Sequence, residues 1–261
     1  MRLKKYVLLA MFLVFVQNID AQIKNLDDLM IKTEELRMLT QRVAKNYIMN
    51  GILPNNEKIS KKLTTDIESF DEKLVNLTEN APNEDIEIEL QKLSLSWYLM
   101  SKIIKKDYDA SNANKIINYS EKLQNEIQGI SDMISKSTKL KSVKLLKISS
   151  NGRMLSQKML LYYIAAKIKL RNKDVPARFE KAKADLYDVI KLLTEQSVKD
   201  PDLKADEGIA MYMDMIKDSY DKVRKNINLK AHVHPKTANM IVNQMTNNFD
   251  LLTDLLYEKF N

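Results

Sequence analysis

One heptapeptide occurs twice in this chain. Leu36-Arg37-Met38-Leu39-Thr40-Gln41-Arg42 returns as Gly152-Arg153-Met154-Leu155-Ser156-Gln157-Lys158, with Arg37 and Arg153 116 positions apart. The same spacing brings Tyr47-Ile48 onto Tyr163-Ile164, Phe70 onto Leu186, Leu74 onto Ile190, and Leu77-Thr78-Glu79 onto Leu193-Thr194-Glu195. Matches that hold one spacing over about forty residues define a structural unit used twice. Near the ends, Ala113-Asn114 aligns with Ala238-Asn239 at a spacing of 125, so the later half of the second copy carries an insertion.

Tight turns are scarce. The 261 residues include only 4 Gly and 5 Pro. That leaves little material for hairpins or phosphate-binding loops, and favours long helices joined by short polar links. Leu26, Leu29, Met30, Thr33, Leu36, Thr40, Val43 and Tyr47 trace one stripe at three- and four-residue steps. Ile116, Tyr119, Leu123, Ile127, Ile130 and Ile134 trace another. The breaks predict helices over 23–49, 57–79, 84–107 and 113–136, then 141–170, 175–197, 204–227 and 236–260. The expected fold is all-α, with two tandem antiparallel four-helix bundles over 22–137 and 138–261. Ser135-Lys136-Ser137-Thr138-Lys139 holds neither Gly nor Pro, which would let the fourth helix run on into the fifth.

The first 21 residues read as a signal peptide. Arg2, Lys4 and Lys5 form a basic start, an apolar run follows from Tyr6 to Val16, and Ala21-Gln22 offers a cleavage site. The run is shorter than the ~20 residues a membrane span needs. No later stretch is apolar enough to span a bilayer, so a periplasmic or secreted protein is expected. The chain has no cysteine, which suits an oxidising compartment. The net charge of +7 is spread in mixed signs, with no basic tract interleaved with aromatics, so nucleic acid is not an expected partner.

The repeated heptapeptide carries the candidate site. Arg37 and Gln41 are four apart, as are Arg153 and Gln157, so each pair shares a helix face. A guanidinium beside an amide can hold a small oxyanion. The competing reading is that both arginines only pair with acidic neighbours.

Arg-Met-Leu-Ser-Gln-(Arg/Lys) followed by a helical run with Tyr resembles the signature of the NarX/PilJ-like sensor domain, the periplasmic helical bundle of nitrate-responsive kinases and type IV pilus transducers. The likeness is sharpest at Gly152–Lys158, clear at Leu36–Arg42, and loose over both copies. It implies an exported, non-enzymatic sensor module that binds a small, nitrate-like anion or presents its bundle to a membrane sensor or chemoreceptor. In the nitrate-sensing members an arginine from each of two subunits converges on one anion. The likeness therefore places Arg37 and Arg153 across an internal pseudo-dimer, with Gln41, Gln157 and Ser156 as further ligand-binding residues. The family's small Ala-Gly pair is replaced by Thr33-Glu34 in one copy and Ser149-Ser150 in the other. Glu34 and Glu35 beside Arg37 make the second copy the better candidate. The alternative is a structural or protein-interaction module without a small ligand.

No cofactor is expected. His232 and His234, the two histidines, fall in a predicted loop without a third ligand and read as solvated. Trp97-Tyr98 and Met211-Tyr212-Met213 read as packing residues. Neither a nucleophile motif nor a Glu-x-x-His pair is present, so an enzyme is not expected.

Overall fold

The computed structural model describes residues 26–137, 141–170, 172–231 and 233–260. The predicted leader, the link at 138–140 and His232 lie outside the described residues. Among the described residues the fold is all-α, as expected, with nine helices and no strand. They are α1 (Leu26–Ile52), α2 (Glu57–Glu79), α3 (Glu84–Ile104), α4 (Ala110–Ser137), α5 (Lys141–Lys167), α6 (Val175–Lys199), α7 (Pro201–Lys204), α8 (Glu207–Asn226) and α9 (Pro235–Phe260). No described helix is long and apolar enough to cross a membrane.

Local chemistry sets the boundaries. Asn56 and Asn83 cap α2 and α3, their side chains accepting from the amides of Ile59 and Ile86. Asp109 accepts from the Asn112 amide at 2.7 Å and starts α4 three residues before the predicted boundary. The helix predicted over 204–227 starts at Glu207 as α8, and the single turn of α7 lies almost wholly before the predicted start. Asp206 accepts from the Ile209 amide and caps α8, detaching the single turn of α7. The stop predicted near Asn50-Gly51 is overrun by α1, which continues to Ile52. There the ring of Tyr108 lies 2.1 Å from where a Gly51 Cβ would be, so only glycine lets the ring approach.

Within each copy the first helix packs on the second and fourth. α1 touches α2 and α4, and α5 touches α6 and α9; α3 then packs on α4, and α8 on α9. The copies are not separate beads. α1 also packs against α5, and one contiguous apolar core runs through both. Each fourth helix lies against the other copy's first helix. Lys45 reaches Asn239 and Asp28 meets Tyr257 between α1 and α9; Lys158 reaches Gln124 and Tyr162 meets Glu121 between α5 and α4.

These pairs run in opposite directions along the two chains, so the helices are antiparallel. This overturns the idea that α4 runs on into α5. Lys147 lies 2.8 Å from Asp132. Fifteen residues apart on one helix they would be separated by about 22 Å. The chain reverses between Ser137 and Lys141 instead. α1 and α5 are consequently parallel, with Arg37 bonded to Asn151 near the level of Arg153.

The stripe read from α1 becomes something broader. No residue from Leu29 to Met49 is exposed, and none from Ser149 to Ala165. Both first helices are buried all round, as a helix with packed neighbours on every side must be. Their hydroxyls are accommodated without cost to the neighbours. Thr33, Thr40 and Ser156 each donate to the carbonyl four residues back, on Leu29, Leu36 and Gly152.

Gly152 lets the Phe249 ring of α9 sit directly against the α5 backbone. A Cβ there would lie 2.3 Å from the Phe249 ring, which is wholly buried and has no room to swing. Gly152→Ala is expected to lose about 1–3 kcal/mol to overpacking, more than alanine's helix propensity of about 1 kcal/mol returns. Urea denaturation measures this, and a midpoint equal to or above that of the parent protein would contradict the packing.

Candidate functional site

Of the motif residues, Arg37 reaches across the seam where α1 lies along α5, while Gln41 turns to α4 and Arg153 and Gln157 turn to α9. Arg37 and Arg153 are each 3% exposed, and Gln41 and Gln157 are buried as deeply. Arg37 Nη2 lies 2.8 Å from Glu34 Oε2 and donates to Asn151 Oδ1 at 3.2 Å. Arg153 Nη1 lies 3.0 Å from Asp250 Oδ1, and Nη2 donates to the Ser150 hydroxyl at 3.2 Å. Each glutamine ties its helix to its own copy's fourth helix. Gln41 Nε2 donates to the Ser120 carbonyl and to Gln124, and Gln157 Nε2 to Thr246 and Asn243.

The repeat extends to what is left over. In both copies the arginine Nε and the glutamine Oε1 are buried without a hydrogen-bond partner. A buried donor and acceptor in that condition are costly, by about 1–3 kcal/mol each. Ser156 stands apart from the group, because its hydroxyl is already given to Gly152.

The two arginines are not equivalent. Glu34 is 1% exposed and is held from behind by the Ser131 hydroxyl at 2.5 Å, so the Arg37 pair is closed. Asp250 is 34% exposed and can move into solvent. Burial pushes the nearby Asp254 carboxyl up, with Asp250 and Glu35 adding to the rise against the pull of Arg153.

A second polar cluster was not foreseen. Asp66 is fully buried between α1 and α2. Arg42 Nη2 and Lys62 Nζ lie 2.7 and 2.9 Å from its Oδ1, and Asn46 Nδ2 donates to its Oδ2 at 2.6 Å. Beside it Lys45 is 2% exposed, donating to Asn239 at 2.8 Å. Burial pushes the Lys45 ammonium down to about 7, and the positive charge of Arg42 adds to this. The signal for Lys45 lay in the repeat, since the position 116 further on is Leu161, fully buried.

The second copy builds its equivalent cluster differently. The counterparts of Arg42, Asn46, Lys62 and Asp66 are Lys158, Tyr162, Arg178 and Ala182. Its carboxylate comes instead from Glu121 on α4, which accepts from the Tyr162 hydroxyl and lies 2.9 Å from Arg178. Among the described residues no three His, Asp or Glu side chains gather as a metal site, and His234 Nδ1 accepts from the Lys236 amide. Compared with known proteins, the chain matches no family model, no curated protein and no solved structure.

Proposed function

We propose that this is an exported, non-enzymatic, sensor-like protein that binds a small anion at the seam between its two copies, with Arg153 as the principal ligand arm. What supports this is the repeated set of unpartnered polar atoms. The Nε of both arginines and the Oε1 of both glutamines are buried at the same level of two parallel, touching helices. The anion would take the place of Asp250, the one mobile carboxylate on either arginine, and engage the planar guanidinium fork. Arg37, shut by Glu34, serves to hold the seam together. The resemblance to NarX/PilJ-like sensor domains, together with the reading of residues 1–21 as a leader, supports the exported, sensing role.

Isothermal calorimetry with nitrate, nitrite, sulfate, phosphate and acetate tests the reading. One of these anions should bind, and Arg153→Ala should weaken it by about a hundredfold, the size of a lost charged hydrogen-bonding partner. Arg153→Ala leaves behind Asp250, which is already partly in water, and the Ser150 hydroxyl, which can donate to its own helix backbone instead, so the fold should survive. An affinity unchanged by Arg153→Ala, or no binding by any of the five, overturns the assignment.

One observation favours a protein-interaction reading as well. Ile88, Leu95, Tyr98 and Leu99 share a face of α3 and are between 37% and 61% exposed. Spacings of seven and eleven residues hold them in one apolar stripe suited to a partner. A membrane receptor that reads the bound state would find its contact there. Leu95→Glu should abolish capture of such a partner without altering anion affinity.

A further inference from the structure

Where α1, the start of α2 and the start of α9 meet, a cleft of about 780 Å³ opens between the copies. That volume suits a small organic ligand. Among the described residues its walls carry Lys58, Lys62 and Lys236 and no acidic side chain. Lys62 is committed to Asp66 behind the wall, which leaves Lys58 and Lys236 as the exposed charges without an ion-pair partner among the described residues.

The neutral walls are also biased. Asn56 Oδ1 accepts from the Ile59 amide, Asn239 Oδ1 from Lys45, and Asn243 Oδ1 from Gln157. A backbone amide and a lysine ammonium only donate, so the oxygen of Asn56, and that of Asn239 while Lys45 is charged, are fixed by their partners. Gln157 is fixed too. Its Nε2 is received by the Thr246 hydroxyl, which itself donates to the Val242 carbonyl. Each of the three asparagines is thus left with its N–H₂ to offer. The first turn of α2 opens on the same space and adds the positive end of a 23-residue helix. Met49, Ile59 and Met240 supply apolar surface between these donors.

The repeat provides an internal comparison. The cleft at the equivalent place in the second copy, between α5, α6 and α4, has about 250 Å³. It is lined by Glu121 and Asp185 beside Lys158, Arg178 and Lys181, so its cations face carboxylates of the chain itself. The first cleft has the same position, the cations and the donors, but lacks the acids.

We infer that the α1–α2–α9 cleft is a binding site for a small anionic polyol, a sugar acid or a sugar phosphate, held through its charge by Lys58 and Lys236 and through its hydroxyls by the amides of Asn56, Asn239 and Asn243. An acceptor-rich anion is what the two lysines and the three asparagine N–H₂ groups select, and the volume exceeds what a bare inorganic anion fills. The site is separate from the Arg153 arm, although Gln157 of the motif tethers its wall through Asn243.

Calorimetry on the whole protein with D-gluconate, glucose 6-phosphate, glucose and inorganic phosphate tests this. Gluconate or glucose 6-phosphate should bind, and whichever does identifies the carboxylate or phosphate source. Glucose and phosphate alone should each bind at least about tenfold more weakly. The double variant Lys58→Ala/Lys236→Ala removes only exposed side chains and should weaken binding by about tenfold or more. Asn243→Asp, which puts a carboxylate in the wall, should do the same, while Arg153→Ala should leave this affinity unchanged. The proposal is overturned if neither anionic sugar binds, if glucose or phosphate alone binds as tightly, or if the lysine pair makes no difference. Loss of binding in Arg153→Ala together with full binding in the lysine variant would place the ligand in the seam and overturn it equally.

Discussion

Replacing Asp66 with alanine is expected to cost about 3–5 kcal/mol of folding stability, the usual result of removing one partner from a buried ionic cluster. Asp66 is wholly enclosed and receives Arg42, Lys62 and Asn46 at 2.6–2.9 Å. Lys62 is half exposed and can turn to water. Arg42 is only 20% exposed and Lys45 is 2%, so two positive groups would be left facing one another without a counter-charge. Backbone preference offers no protection and no excuse, since the repeat holds Ala182 at the equivalent place on α6. There the cations are answered from across the interface by Glu121; no such carboxylate lines the first cleft. Urea titration of Asp66→Ala measures the loss, and a change below about 1 kcal/mol would show that the cluster is solvated rather than buried. In the double variant Asp66→Ala/Lys45→Met part of the loss should return, because one of the stranded charges is gone.

The all-α architecture was legible because few Gly and Pro and a three-four apolar spacing leave helices as the one regular structure available. The repeat located the motif helices correctly and pointed to their pairing. Local capping was harder to read. Asp206, three residues before Ile209, carries the same signature as Asn56 and Asn83, but an unbroken apolar pattern hid the break it makes. The reversal between α4 and α5 was illegible for a plainer reason. Ser135 and Lys136 can sit in a helix, and it takes pairings such as Lys147 with Asp132 and Lys158 with Gln124 to show that the chain turns back.

The site was partly legible. Arg37, Gln41, Arg153 and Gln157 are all buried, but each glutamine turns to its own copy's fourth helix, and the inequality foreseen from Glu34 takes the form of a closed pair at one arginine and a more exposed one at the other. The Ser156 hydroxyl donates to its own helix backbone, as hydroxyls inside buried helices commonly do. Lys45 and Asp66 escaped notice because single charged residues in a helix normally face water. Comparing the two copies position by position would have exposed both, as a lysine opposite a leucine and an aspartate opposite an alanine.

That comparison also dictates how Lys45 should behave. Its ammonium, at about 7 in the fold, titrates well below the 10.5 of an exposed lysine. Between those values the unfolded chain holds a proton that the folded chain has released, so the fold must gain stability as pH rises through that range. The groups around Lys45 are Arg42 on its own helix, Lys62 and Asp66 on α2, and Asn239 on α9. Of these, Asp66 alone opposes the effect, and it is shared with Arg42 and Lys62. Tyr47, pushed up to about 12 by burial, works in the opposite direction once unfolded tyrosine begins to ionise near pH 10, which limits the useful window. From about pH 7 to 9.5 the gain should be on the order of 3 kcal/mol. Lys45→Met should remove this rise and, with a side chain of similar length that carries no charge, should be more stable than the parent protein at pH 7 by about 1–2 kcal/mol after the lost bond to Asn239 is counted. The curves for the two proteins should therefore converge, or cross, as the solution becomes alkaline. Chemical denaturation at half-unit steps of pH gives both. If the two stabilities run parallel over that range, Lys45 keeps its charge in the fold, and the interior between the copies is wetter than its burial implies.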